Sequence, residues 1–156
     1  MHAFPHPDHD PIEVLQLTPV RVEEIFEGLA PSDLEAGGEG GDLGARGVLA
    51  LLADVELTHA FRLRLILADD EPVLQPFEAD AWARRYARSQ AALAVGAFRS
   101  LRSWNLSLLT TLDLDDWLRR GYHPERGFVT IDELVRSLAA HDLEQLTRLE
   151  RLAGSI

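Results

Sequence analysis

LGARGVLALLADVELTHAFRLRLILA, residues 43–68, decides the fold. Val48, Leu51, Leu52, Val55, Glu56, His59, Leu63 and Ile66 recur at spacings of three and four, which lines them along one face of a long α-helix. A helix with one apolar face must bury it against something, so partners of the same kind are expected on either side. Residues 12–29 supply one, with Val14, Leu15, Leu17, Val22, Ile25, Phe26 and Leu29 mostly on a helical face. Pro19 interrupts that pattern, so this helix either starts there or is kinked there. Residues 80–111 supply another, with Trp82, Tyr86, Leu93, Val95, Phe98, Leu101 and Trp104 among its apolar positions. The last begins at Thr130 and Glu133, a capping-box pair, and carries Ile131, Leu134, Val135, Leu138, His141, Gln145, Leu149 and Leu152 along one face. The pattern predicts an all-α protein, an up-down four-helix bundle.

The connecting segments read as turns. Ser32 and Glu35 have capping-box spacing and predict one short helical turn. Residues 37–41, GGEGG, predict a flexible, non-helical loop. Residues 69–77 contain two prolines and turn the chain, residues 113–118 form a short turn, and residues 121–127, GYHPERG, form a loop. Residues 1–11 are polar and proline-rich and predict an N-terminal arm, leaving 12–156 as a single domain.

Composition removes several kinds of chemistry. The chain has 156 residues and no Cys, which excludes disulfides and thiolate nucleophiles or ligands. All 15 basic residues are Arg, so no Schiff-base lysine or Walker-loop lysine is available. The net charge of −11 repels a phosphate backbone and argues against nucleic-acid binding. Arg84, Arg85, Arg88, Arg99 and Arg102 form a local basic group that reads as a solvated helix face paired with carboxylates, with an anion site as the alternative. No apolar run approaches the roughly 20 residues needed to cross a bilayer, and no secretory signal opens the chain. A cytoplasmic protein is expected.

Six histidines are present. His2, His6 and His9 lie in the arm, which offers no fixed ligand geometry. His141 lies on the apolar face of the last helix with Gln145 one turn on, and Glu56 and His59 share a face of residues 43–68. Three of Glu56, His59, His141 and Gln145 could hold one divalent ion with an open position. The alternative is an ordinary buried polar network. Glu-x-x-His occurs once only, so a di-iron site is not expected.

Three stretches carry a family resemblance: VLALLADVE at 48–56, PFEADAW at 76–82, and GYHPERGFVT at 121–130 continuing to HDLEQL at 141–146. Together they resemble the DinB-like superfamily, which includes YfiT-like metal-dependent hydrolases, bacillithiol transferases and mycothiol-dependent maleylpyruvate isomerases. The resemblance implies a four-helix bundle, often dimeric, and a divalent metal such as zinc, nickel or manganese held by three histidines. Carried onto this chain, the ligand positions fall at Leu52, His141 and Gln145, so one of the three histidines remains. Leucine cannot ligate, and a glutamine carbonyl is a poor substitute for imidazole. Moving the site to Glu56 or His59 requires a shift of at least about 6 Å along the helix. Loss of the metal is therefore expected, giving a homodimeric, non-catalytic or small-molecule-binding protein with no cofactor. The alternative is a metal-dependent hydrolase or thiol transferase that uses His141 with Gln145, Glu56 or His59.

Overall fold

Asp10 opens the first helix, its carboxylate accepting the Ile12 N–H at 2.8 Å with Pro11 in the first turn. In the computed structural model, which describes residues 8–154, this helix, α1, runs Pro11–Gly28 without a break. Pro19 lies inside α1 and is buried. Lacking an N–H, it leaves the Leu15 carbonyl without its helical donor. That carbonyl is used elsewhere in the bundle, as described below.

The remaining elements are α2 (Pro31–Glu35), α3 (Ala45–Ala68), α4 (Ala79–Ala83), α5 (Ala91–Leu109), α6 (Leu114–Leu118), β1 (Arg120–His123), β2 (Gly127–Thr130) and α7 (Ile131–Leu152). The long helices α1, α3, α5 and α7 form the bundle. α3 packs against α5 and α7, and α1 packs against the same two, so α1 and α3 stand on opposite corners. Leu15, Leu52, Leu63, Phe98, Leu134 and Leu146 are buried between them.

The direction of the helices adds something that the up-down reading of the sequence does not contain. Arg46 near the start of α3 bonds the Ser89 carbonyl just before α5. Arg64 near the end of α3 donates to Asn105 near the end of α5 at 2.7 Å. The two neighbours therefore run parallel, and residues 69–90 carry the chain back along the bundle between them. Local sequence patterns set each helix but not its sense relative to a neighbour.

That return segment corrects the expectation of one helix over 80–111. α4 and a 3₁₀ turn at Arg84–Tyr86 come first, the chain is extended at Gln90, and α5 starts at Ala91. Tertiary contacts hold the break: Arg46 takes the Ser89 carbonyl, and the Tyr86 hydroxyl donates to Asp54 Oδ1 at 3.0 Å. Trp82, Leu93 and Trp104, assigned to the apolar face, are 43%, 67% and 66% exposed.

Three smaller expectations change as well. Residues 121–127 are not an open loop: β1 and β2 pair antiparallel with Tyr122 opposite Phe128. Tyr122 also bridges Val73, donating to the Pro72 carbonyl and accepting from Leu74 N–H, both at 2.8 Å. A Cβ at Gly121 would lie 2.9 Å from the Leu74 side chain, and Gly127 turns the hairpin at φ +78°. The 37–41 loop contains a 3₁₀ turn at Glu39–Gly41. At α2 the capping carboxylate is Asp33, which accepts the Ala30 N–H at 2.9 Å, rather than the Ser32–Glu35 pair.

The capping box of α7 is as expected. Thr130 Oγ1 accepts the Glu133 N–H at 3.1 Å, and the Glu133 carboxylate accepts the Thr130 N–H at 2.8 Å. Among the described residues no helix is long and apolar enough to cross a membrane. Replacing Thr130 with Ala removes an N-cap and should lower stability by about 1 kcal/mol. Urea denaturation checks this, with an unchanged midpoint as the contrary result.

Candidate functional site

A charged side chain cannot be buried alone, and Arg102 on α5 is buried to 1% exposure. All four long helices supply its partners. From α7, Asp142 makes a two-pronged pair, Nη1 to Oδ2 at 2.8 Å and Nη2 to Oδ1 at 3.0 Å. From α3, Glu56 Oε2 accepts from Nη2 at 2.8 Å. From α1, the Leu15 carbonyl freed by Pro19 accepts from Nη1 at 2.9 Å. On α5 itself, the Phe98 ring lies 4.8 Å from the guanidinium carbon.

Further bonds extend the network. Asn105 donates to Glu56 Oε1 at 2.8 Å and accepts from Arg64 at 2.7 Å. Thr18 donates its hydroxyl to the Val14 carbonyl at 2.8 Å and lies beside Asp142. Burial opposes charge on Arg102, but Asp142 and Glu56 outweigh it and hold the guanidinium protonated. Burial pushes the Asp142 carboxyl upward, with Arg102 and Thr18 pulling it back.

These contacts decide what the expected metal ligands can do. Both oxygens of Glu56 are engaged, by Arg102 and Asn105, and a guanidinium at one of them excludes a second cation. Gln145 Oε1 accepts from Arg148 at 3.0 Å. Glu56 and Gln145, two of the expected ligands, are members of polar networks in this structure. Leu52, at the remaining family position, is 1% exposed in the apolar core. Among the described residues no three His, Cys, Asp or Glu side chains come together as a metal site. The residues present do not fit the three-ligand metal centre that the resemblance implies.

The two histidines are the part of the expected set that stays unassigned. His59 Nδ1 lies 2.9 Å from the Val55 carbonyl, which places the proton on Nδ1 and leaves Nε2 bare. His141 Nδ1 is shut from water and has no partner. The two rings feel each other electrostatically. Burial lowers His59 to about 4, helped by Arg62. Burial likewise lowers His141 to about 4, helped by Arg102 and Arg148. Both are neutral imidazoles at pH 7. His2 and His6 lie outside the described residues.

The basic group of the sequence splits. Arg99 pairs with Glu23 at 2.8 Å on the surface, as expected of a solvated face, whereas Arg102 is the most enclosed arginine among the described residues. A signal for this existed. Val95, Phe98, Arg102, Asn105 and Leu109 fall at helical spacing on the buried face of α5, and Glu56 on the buried face of α3 needs a counter-charge. Asp142 carried no such signal beyond its place beside His141.

The chain matches the DinB superfamily over residues 15–146. It is 25% identical to a Bacillus subtilis protein named "putative metal-dependent hydrolase YfiT", over 92% of this chain and 84% of that one. A relative from Oceanobacillus iheyensis, also named a "putative metal-dependent hydrolase", is 28% identical over 69% of this chain and 63% of its own length. The solved structure of YfiT from Bacillus subtilis, described as an unusual four-helix bundle topology, superposes with a TM-score of 0.81 at 22% identity. That superposition covers 98% of this chain and 94% of YfiT, and it bears on the fold alone.

Two outcomes follow from the geometry. Arg102→Met leaves two buried carboxylates without their cation and should cost about 3–5 kcal/mol, measured by urea denaturation. His59 and His141 take protons near pH 4 in the fold but near 6.5 in an unfolded chain. The unfolded state binds more protons across that window, so the stability these residues contribute is present above about 6.5 and declines as pH falls toward 4. Imidazole NMR resonances should move with midpoints near 4, and His141→Asn should reduce the loss of stability between pH 6.5 and 4. Midpoints near 6.5 would contradict the burial argument.

Proposed function

The chain belongs to the DinB superfamily, and from that premise we propose that it is a non-catalytic member in which an internal ion-pair network has taken over where a metal centre would work, leaving a bundle that binds a small molecule. One observation carries the proposal. Glu56, the fully buried acidic side chain of α3 one turn from Leu52, is held at both oxygens by Arg102 and Asn105. A divalent cation would have to displace a guanidinium that already neutralises the cluster, and the displaced Arg102 has no route to water from 1% exposure. Gln145 offers a neutral oxygen already bonded to Arg148.

A second reading has one observation in its favour. The bond from His59 Nδ1 to the Val55 carbonyl orients the ring as a backbone carbonyl orients a metal-ligating imidazole, with Nε2 unprotonated. His59 and His141 could then bind a divalent ion with water in the remaining positions, and the metal would lower the pKa of bound water or thiol. This is the metal-dependent hydrolase or thiol-transferase alternative, and the names of the relatives agree with it.

Elemental analysis separates the two. Protein prepared without chelators and then challenged with zinc, nickel and manganese should carry far less than one equivalent of any of them. A near one-to-one ion that disappears in His141→Ala would replace the first reading with the second.

A further inference from the structure

Most buried or half-buried arginines of this chain have a carboxylate or a network partner. Arg21 pairs with Glu24 and Glu150, Arg46 with Glu35, and Arg102 with Glu56 and Asp142. Arg62 on α3 is different. It is 7% exposed, and no ion pair to it occurs among the described residues. Nη2 donates to the Gln75 carbonyl at 2.7 Å; the Nε–H has no acceptor, as in Arg21 and Arg102, but unlike them Arg62 has no carboxylate at its Nη atoms. The Phe77 ring lies 5.5 Å from the guanidinium carbon. Burial works against its charge, and Arg126 adds repulsion. In a chain of net charge −11, a buried guanidinium without a counter-ion is unexpected.

Arg62 lines a cavity of about 370 Å³ between α3 and the 74–82 segment. The other walls include Phe61, Leu74, Phe77 and Trp82, and among the described residues no acidic side chain lines it. The volume falls at the small end of ligand pockets. Phe61 and Trp82 are 65% and 43% exposed, so apolar surface stands open at its mouth.

We propose that this pocket binds a small aromatic or alicyclic monocarboxylate, with the carboxylate on Arg62 and the ring against Phe61, Phe77 and Trp82. The charge on Arg62 selects this occupant: a neutral or purely apolar partner would cover the walls and leave the guanidinium uncompensated, whereas a carboxylate supplies the missing counter-charge. The proposal rests on the reading of the protein as a metal-free small-molecule binder and names the ligand class and the site.

The test uses the full chain after chelator treatment, titrated calorimetrically with phenylacetate, cyclohexanecarboxylate and 4-phenylbutyrate. Phenylacetamide serves as the neutral match of the first. At least one acid should bind, and phenylacetamide should bind at least about ten-fold more weakly than phenylacetate. Arg62→Met keeps the apolar stem and should reduce acid binding to the level of the amide. Trp82→Ala, at a half-exposed position, should weaken acid and amide together. If Arg62→Met does not fold, the acid–amide comparison and Trp82→Ala decide the matter.

Equal affinity for acid and amide, silence from all three acids at millimolar concentration, or full binding in Arg62→Met would each overturn the proposal. So would a dimer in sedimentation that Phe61→Glu dissociates, because a second copy would then cover the pocket. Acid binding that requires added zinc and is lost in Arg62→Met would uphold the pocket and overturn the metal-free reading instead.

Discussion

The bundle is organised around the buried guanidinium of Arg102. Arg102 draws one acceptor from each of the other three long helices: the Leu15 carbonyl of α1, Glu56 of α3 and Asp142 of α7. Apolar packing would tolerate small slides of one helix past another, but directional bonds to a guanidinium do not. The network therefore fixes the register of the helices more tightly than their leucines do. Burying these charges is costly, and the return is geometric specificity rather than added stability.

Pro19 belongs to the same device. In isolation it is a defect, a missing donor inside α1. In the bundle the carbonyl it exposes becomes the Arg102 acceptor, so the gap in one helix is closed by the side chain of another. Thr18 beside it reaches Asp142, which gives adjacent residues of α1 two ends of the same cluster. A kink residue and a polar core are usually treated as separate features, and here neither is satisfied without the other.

The same network bears on chemistry. A resident guanidinium and a bound metal are alternative ways to neutralise buried carboxylates. Glu56 and Asp142 are both paired to Arg102, which neutralises part of their charge inside the protein. His59 and His141 are left as neutral imidazoles in a low-dielectric setting, and Arg62 is a buried cation with no carboxylate partner among the described residues. Of these, Arg62 lies away from the centre of the bundle, on the side of α3 that meets the 74–82 segment, whereas His141 stays close enough to Arg102 and Glu56 to feel their charge.

The sequence by itself determined the all-α class, the four long helices, the cap at Thr130 and the family, because each depends on local periodicity, local hydrogen bonding or matched residue order. It also placed Glu56, His59, His141 and Gln145 on buried or half-buried helix faces, since a face is a property of one helix. It could not say what those faces meet. That Arg102 sits inside rather than in solvent, that Glu56 is bonded at both oxygens, that α3 and α5 run parallel, and that 80–111 is broken by Arg46 and Asp54 were decided by tertiary structure alone. Each of these depends on a partner 32 or more residues away, and no short-range pattern encodes such a contact.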